Sequence, residues 1–230
     1  MDLTNGRKSI PSVMSDLRHE IVEVPAAIKH CSGIKIYGRR IKSVIFTTDV
    51  SIIANNNADA VLAVYPFTPN PAILKSIMQV ASVPVFAGVG GGLTTGDRSA
   101  NMSLFAESEG AFAVVVNGPT DVQTIQTINK MIDIPIIYTV VSDKANIASR
   151  IEAGVDILNV SGGAQTAAIV AEIRKSYPDF PIMATGGPSQ ESVEATIAAG
   201  ANAITYTPPS NADLFKLKME KYRLIEEAGH

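Results

Sequence analysis

The chain has 230 residues, 46% of them hydrophobic and 18% charged, and its formal net charge is −3. This length is sufficient for a sizeable core in a single domain, and the composition excludes a largely disordered chain. The near-neutral charge provides no basic surface for nucleic acid and no polybasic strip for a membrane, so we expect a small molecule or another protein as the partner.

Two features of the sequence bear on the cellular compartment. Cys31 is the single cysteine, so an intrachain disulfide is excluded and a reducing compartment is favoured. Residues 1–20 lack the continuous apolar run of a signal peptide, and no later run reaches membrane-spanning length without a Gly, Pro or polar break. We therefore expect a cytoplasmic protein.

Residues 1–42 precede the first strongly apolar run. We expect them to form an N-terminal cap that begins with a helix and is extended at GIKIYG, residues 33–38. From residue 43 onward, short apolar runs rich in Val and Ile alternate with amphipathic stretches. Continuous apolarity of this kind is typical of strands buried on both faces, as in a parallel sheet covered by helices. The predicted strands lie at 43–48, 60–65, 83–89, 111–116, 134–140, 155–160, 180–185 and 201–206.

Signals for helix starts lie between the predicted strands. After the first strand there is room for only a very short helix. Asn70 followed by Pro71 is typical of an N-cap with proline at the first helical position, and Thr120 with Gln123 matches a capping box. These signals favour a strict alternation of strands and helices.

A coarse internal repeat supports the same alternation. Prolines open every second strand and glycines precede the strands between them, at nearly equal intervals. The positions concerned are Pro84, Pro135 and Pro181, and Gly110, Gly154 and Gly200. With eight strands, this rhythm predicts a single α/β domain over residues 1–230, in which residues 43–230 form a closed (β/α)8 barrel, a TIM barrel; a doubly wound open sheet is the alternative.

In such barrels the loops after the C-terminal ends of the strands carry function. Asp49 is the single carboxylate at a predicted strand end, which makes it a candidate general base or metal contact, or equally an N-cap for the segment that follows. Arg98, in the glycine-rich loop GVGGGLTTGDRSAN, is a candidate clamp for a phosphate or carboxylate, or a solvated arginine beside Asp97.

Familiar catalytic motifs are missing from the sequence. The spacing of its histidines, cysteine and carboxylates predicts no zinc site, and there is no Gly-x-Ser-x-Gly elbow. The last three predicted strands contain no lysine for a Schiff base, which weakens an aldolase interpretation. We expect no resident cofactor, while a divalent cation at Asp49 stays open.

Neutral polar residues and glycines are the remaining candidates for substrate binding. Asn117 and Asn159 are placed to bind a sugar or an enolate by hydrogen bonds, or else they serve turns. The segments Ser161-Gly162-Gly163 and Thr185-Gly186-Gly187 each end a predicted strand. Their backbone N–H groups, with the helix dipole that follows, are suited to an anion, but paired glycines also serve tight turns.

A resemblance to a known group of barrels rests on the segment PIMATGGPSQESVEATIAAGANAITYTPPS, residues 181–210. It resembles the last third of the ribulose-phosphate-binding barrel superfamily, which includes 2-keto-3-deoxy-6-phosphogluconate aldolase, N-acylmannosamine-6-phosphate 2-epimerase and thiamine phosphate synthase. The resemblance implies phosphate binding after the seventh strand and in the small-residue loop after the eighth, where Thr207 and Ser210 lie. Pro208 and Pro209 depart from the pattern, and they remove two N–H donors from that loop.

These observations lead to three functional hypotheses. The first is an enzyme of the isomerase, epimerase or lyase type that acts on a small phosphorylated or anionic metabolite, with phosphate held after the sixth to eighth strands. The second is a hydrolase that uses Asp49 to activate water; the whole chain is also similar to bacterial sequences labelled only as hydrolases. The third is a regulatory or scaffolding barrel without catalysis. A homo-oligomer stays open in all three.

Overall fold

The computed structural model describes residues 11–13, 15 and 20–228. Eight parallel strands close into a barrel, and the last strand pairs with the first, so that Ile204 lies opposite Ser43 and Tyr206 opposite Ile45. This closure confirms the predicted (β/α)8 barrel and excludes the open sheet.

A short antiparallel hairpin precedes the barrel, and all eight predicted strands are present. The hairpin strands are β1 (Ile34–Ile36) and β2 (Arg39–Ile41), and the barrel strands are β3 (Ser43–Phe46), β4 (Ala60–Ala63), β5 (Val85–Gly90), β6 (Ala113–Val116), β7 (Ile136–Val140), β8 (Ile157–Val160), β9 (Ile182–Thr185) and β10 (Ala203–Tyr206). The strands form within the apolar runs because their side chains are buried alternately inside the barrel and beneath the helices.

A helix follows each barrel strand. The helices are α1 (Val50–Ala54), α2 (Pro71–Val80), α3 (Gly96–Ser108), α4 (Val122–Asn129), α5 (Ile147–Glu152), α6 (Thr166–Ser176), α7 (Gln190–Ala198) and α8 (Asn211–Ala228), with 3-10 helices at Ala26–His30 and Gly163–Gln165. None of the described helices is long and apolar enough to cross a membrane.

Two helix starts can be compared with their predicted caps. Asn70 caps α2 by accepting from the N–H of Ala72, with Pro71 at the first helical position, as predicted. The capping box at Thr120 is wrong, because Asp121 is the N-cap of α4 and its carboxylate accepts from the N–H of Thr124 at 2.6 Å. A carboxylate one residue later reaches that amide and also complements the helix dipole.

The barrel interior is apolar in its lower layers. Side chains from all eight strands meet there, among them Val44, Leu62, Phe86, Val115, Ile137 and Met183. Ile34, Ile36 and Ile41 of the hairpin join the same cluster. The hairpin is fixed at this end because the N–H of Gly33 donates to the carbonyl of Asn202 at 2.7 Å. It therefore closes the N-terminal end of the barrel, and it contains the GIKIYG segment that was predicted to be extended.

Candidate active site at the barrel mouth

A small cavity opens at the C-terminal ends of the strands. It has a volume of about 160 Å³ and is lined by Phe46, Leu62, Val64, Asn117, Thr139, Asn159, Ser161, Thr185 and Thr205. The polar members follow from strand register, since Thr139 lies opposite Asn159 and Thr185 opposite Thr205 on neighbouring strands. The interior thus changes from apolar to polar at its uppermost layer.

In the polar layer, the buried side chains of Asn159 and Thr205 and the half-buried side chain of Thr139 are joined by long hydrogen bonds. Asn159 and Thr205 are only 4% and 3% exposed. The hydroxyl of Thr205 donates to Oδ1 of Asn159 at 3.4 Å, and Nδ2 of Asn159 donates to the hydroxyl of Thr139 at 3.4 Å. Hydrogen bonds between such groups are ordinarily about 2.8–3.0 Å long, so these are weak. Buried polar groups with weak partners cost stability.

The electrostatic character of the mouth is neutral. No charged side chain is among the described residues that line it. Amide and hydroxyl groups at this depth can bind carbonyl, carboxylate or hydroxyl oxygens, and they can stabilise negative charge that develops on such an oxygen. The lining does not itself supply a strong acid or base.

The glycine-rich loop after β5 approaches the mouth closely at Asn117. The N–H of Asn117 donates to the carbonyl of Gly90 at 3.1 Å. Gly91 has a φ of +129°, and a Cβ there would lie 2.6 Å from Cβ of Asn117. Gly91 therefore permits both the turn and the contact. At the tip of this loop, Leu93 is fully exposed.

Asp49 and Arg98 do not line the mouth. Asp49 is the N-cap of α1, where its carboxylate accepts from the hydroxyl of Ser51 at 2.5 Å and from the N–H of Ser51 at 2.8 Å. The hydroxyl of Ser51 is the largest of the effects that lower the pKa of Asp49. A lower pKa makes the carboxylate a weaker base. Arg98 is exposed in the first turn of α3.

The glycines after β9 are accounted for by packing and turn geometry. The N–H of Gly186 donates to the carbonyl of Thr205 at 3.2 Å. A Cβ on Gly186 would lie 2.8 Å from methyl groups of both Ile204 and Val193. Gly187 has a φ of +76°, and a Cβ there would lie 2.6 Å from Oγ of Ser192. These contacts require glycine at both positions whether or not an anion binds nearby.

The start of α7 is satisfied by its own side chains. Ser189 and Ser192 form a capping box, with Oγ of Ser189 accepting from the N–H of Ser192 at 3.2 Å. The backbone N–H of Glu191 and the hydroxyl of Ser189 both lower the pKa of the exposed Glu191 carboxyl, in that order of size. A carboxylate therefore already interacts with the positive end of this helix dipole.

A second cavity lies beside the mouth, between α6 and α7. It has a volume of about 380 Å³ and includes Gly163, Thr185, Gly186 and Gly187 in its lining. Thr185 belongs to both cavities, and its hydroxyl lies 3.3 Å from that of Thr166.

Seven of the ten predicted binding residues line one or both of these cavities. Asn117, Asn159, Ser161 and Thr185 line the mouth, and Gly163, Thr185, Gly186 and Gly187 line the second cavity. Gly162 donates its N–H to the hydroxyl of Thr166 at 3.1 Å. The structure thus brings most of the predicted residues together around Thr185.

The loop after β10 stands apart from both cavities. Thr207 and Ser210 are exposed and line neither of them. The hydroxyl of Ser210 donates to the carboxylate of Asp213 at 2.5 Å, which lowers the pKa of Asp213. A carboxylate at this position repels an anion, and the two prolines before it provide no N–H donors, so the loop is unsuited to bind an anion.

Four residues that line the mouth are not among the candidates from the sequence: Phe46, Leu62, Val64 and Thr205. Thr139 lies at the end of the predicted strand 134–140. The signal that identifies Thr205 is the alternation of inward and outward side chains along a strand. Because Asn159 and Ser161 point inward, the polar residues in register with them on neighbouring strands do so as well.

No protein-family model matches the chain, and no curated protein sequence matches it. Solved structures share its fold. Phosphonopyruvate hydrolase is 13% identical with a TM-score of 0.63, covering 88% of this chain and 86% of that one. Its complex with oxalate and Mg²⁺ is 15% identical with a TM-score of 0.61 and covers 83% of each. Dihydrodipicolinate synthase from Bacillus anthracis is 15% identical with a TM-score of 0.56, covering 81% of this chain and 76% of that one.

At these identities the likeness shows the fold alone. The chain is a (β/α)8 barrel of the architecture that these enzymes share. The narrower resemblance to the ribulose-phosphate-binding superfamily, and that to the sequences labelled as hydrolases, stay predictions.

Proposed function

We propose that the protein is an enzyme that acts on a small anionic metabolite held in the mouth of the barrel, in a reaction of the isomerase, epimerase or lyase type. The observation that carries this proposal is the group formed by half-buried Thr139 with buried Asn159 and Thr205, whose side-chain polar atoms are joined, among the described residues, only by long hydrogen bonds. A protein gains little stability from such a group, and a ligand oxygen that enters it gains several donors at once.

The size and lining of the mouth define the part of the metabolite that enters it. A volume of about 160 Å³ corresponds to roughly five water molecules at about 30 Å³ each. Phe46, Leu62 and Val64 form its apolar side. The portion that fits is a short oxo or hydroxy acid, with carbon against the apolar side and oxygens toward the amide and hydroxyls. The neighbour whose complex holds oxalate and Mg²⁺ binds a molecule of this size.

For the phosphate of a longer metabolite we propose the second cavity, where it would have to compete with the internal hydrogen bonds of Gly186 and of the α7 cap. Thr185 connects that cavity with the mouth, and Gly163 and Gly187, with φ of +58° and +76°, border it. Within the described part of the chain, no group of three His, Cys, Asp or Glu side chains is arranged to hold a metal ion. We therefore propose a divalent cation only where the metabolite itself carries it into the site.

A binding barrel without catalysis is the second candidate. It is favoured by the absence of charged side chains from the described lining of the mouth, since proton transfer ordinarily requires a titratable group within reach. Ligand binding without turnover distinguishes it from the enzyme. The hydrolase hypothesis is weaker, because the hydrogen bonds that Asp49 accepts as an N-cap lower its basicity.

The test is a thermal-shift titration with oxalate, pyruvate, inorganic phosphate and phosphoenolpyruvate. A ligand at 100 times its Kd stabilises by about 2.7 kcal/mol, which for a chain of this size raises Tm by roughly 5–10 °C. We expect Thr205→Val and Asn159→Leu to remove the shift, while the exposed control Thr207→Val retains it. If none of the four probes stabilises the wild type at millimolar concentration, the proposal is refuted.

A further inference from the structure

Two large apolar side chains are exposed on neighbouring loops at the C-terminal end of the barrel. Phe67, in the loop after β4, is 76% exposed, and Leu93, in the loop after β5, is fully exposed. Because β4 and β5 pair directly, with Ala63 opposite Ala87, the two loops leave the barrel side by side. We call Phe67 and Leu93 the apolar rim. Single exposed apolar residues are normal, but two large ones on adjacent loops beside a cavity require an explanation.

Leu93 is held at the tip of a tight turn. The N–H of Gly91 donates to the carbonyl of Thr94 at 3.0 Å, and the N–H of Thr94 donates to the carbonyl of Gly91 at 3.3 Å. Gly92 and Leu93 are therefore the two residues of the turn. The carbonyl of Thr94 also accepts from the hydroxyl of Ser99 at 2.9 Å, which fixes the base of the turn to α3. The backbone at Leu93 is thus held in place although its side chain is exposed.

The loop that carries Phe67 is also closed by a hydrogen bond. The N–H of Asn70 donates to the hydroxyl of Tyr65 at 2.7 Å, which joins the two ends of the loop. Pro66 and Pro69 lie between these ends, and each fixes one backbone φ angle. Both loops are therefore ordered in advance, and a ligand that contacts the apolar rim does not have to order them.

The two loops begin at residues of the mouth. Val64 lines the mouth and lies three residues before Phe67. Gly91 lies two residues before Leu93, and a Cβ on Gly91 would lie 2.6 Å from Cβ of Asn117, which also lines the mouth. The apolar side of the mouth therefore continues outward to the apolar rim.

Charge and area indicate what kind of group fits the apolar rim. Residues 64–70 and 90–96 contain no charged side chain, so these two loops offer no counter-ion to a second anionic group. At about 200 Å² for each large side chain, the apolar rim provides on the order of 400 Å². A stable protein interface buries about 800 Å² on each partner. The apolar rim is therefore too small for a protein partner by itself, and it is of a size for one substituent of a small molecule.

We propose that the apolar rim binds an apolar substituent of the metabolite whose acid group lies in the mouth. The substrate class is then an oxo or hydroxy acid with a branched aliphatic or aromatic substituent. This inference rests on the function proposed for the mouth and narrows its substrate class. With the acid group at Asn159, the carbon chain follows Phe46 and Val64 outward, and its end covers Phe67 and Leu93. Burial of these side chains and of the substituent favours binding through the hydrophobic effect.

The direction of this substituent differs from that of the proposed phosphate. In the closed barrel of eight strands, β9 lies across from β5. The second cavity, next to Thr185 of β9, and the apolar rim therefore adjoin the mouth from opposite sides. A metabolite can use the apolar rim with or without a phosphate on the other side.

The test is isothermal titration calorimetry of the full chain with pyruvate, α-ketoisocaproate and phenylpyruvate. We expect phenylpyruvate to bind with a Kd at least about 10-fold lower than that of pyruvate, with α-ketoisocaproate between them. Phe67→Ser/Leu93→Ser is expected to reduce this preference to less than about 3-fold. Phe215→Ser/Leu224→Ser is the matched control, because these side chains are 65% and 66% exposed on α8, and it is expected to keep the full preference.

A variant of the mouth separates this site from general apolar binding. Asn159→Leu is expected to abolish the binding of both pyruvate and phenylpyruvate, because the substituent binds only when the acid group is in the mouth. Phenylpyruvate binding that survives in this variant overturns the inference. Circular dichroism checks that each variant is folded, and sedimentation equilibrium tests for self-association. A wild-type dimer that Phe67→Ser/Leu93→Ser dissociates also overturns the inference, because a second copy then covers the apolar rim.

The remaining outcomes separate this inference from the proposed function. Equal affinities for the three acids, or a preference that Phe67→Ser/Leu93→Ser retains, overturn the inference and leave the proposed function standing. If none of the three acids binds, the inference is overturned, and the proposed function is then decided by oxalate, inorganic phosphate and phosphoenolpyruvate.

Discussion

Replacement of Gly187 by alanine tests whether packing dictates the glycine pair after β9. Gly187 has a φ of +76°, and an added Cβ would lie 2.6 Å from Oγ of Ser192. The left-handed backbone costs a non-glycine residue about 1–2 kcal/mol. Displacement of Ser192 also disrupts the capping box of α7, at about 1 kcal/mol. We therefore expect Gly187→Ala to lower the free energy of unfolding by about 2–3 kcal/mol.

Gly38→Ala is the matched control for this variant. Gly38 has a φ of +81°, and an added Cβ would meet nothing within 4 Å. It should therefore carry the backbone cost alone, about 1–2 kcal/mol. The measurement is urea unfolding of both variants and the wild type, followed by circular dichroism. Equal losses for the two variants would show that the contact with Ser192 costs nothing, and the packing explanation of Gly187 would then be wrong.

Three further predictions concern caps and protonation. Asp121→Ala is expected to lower the free energy of unfolding by about 1 kcal/mol, measured by urea unfolding, because it removes the N-cap of α4. The hydroxyl of Ser51 is the main cause that lowers the pKa of Asp49 below the ordinary value of 3.8. The stabilisation that Asp49 provides should therefore be lost as the pH falls below 3.8. Over this range, Tm of Asp49→Asn should fall less than Tm of the wild type. Burial raises the pKa of the Cys31 thiol from 9.0 to about 11. The contribution of the buried thiol to folding stability should therefore be present below pH 9 and be lost as the pH rises toward 11. In Cys31→Ala, the fall of Tm over this pH range should be smaller.

The barrel was predictable because its determinants are local. Each strand is a continuous apolar run, and a cap such as Asn70-Pro71 identifies its helix without reference to the rest of the chain. The cap of α4 was not predictable from the capping-box pattern alone. Thr120 and Asp121 are both good N-cap residues, and the choice between them depends on where the helix begins.

The candidate site was predictable only in part. Asn117, Asn159, Ser161 and Thr185 follow from their places at strand ends. Thr205 could be identified as a lining residue only from the register of the closed barrel, because the register decides whether a residue faces the interior or the helices.

The glycines are ambiguous in sequence. A tight turn, a close approach of Val193 to Gly186 and a phosphate site all select glycine at the same position.

The hairpin β1–β2 has a kinetic consequence. Since Ile34, Ile36 and Ile41 fill the opposite end of the barrel, a ligand of the proposed site would enter and leave through the same opening. Under the proposed function, a bound product would therefore have to leave before the next substrate molecule could enter.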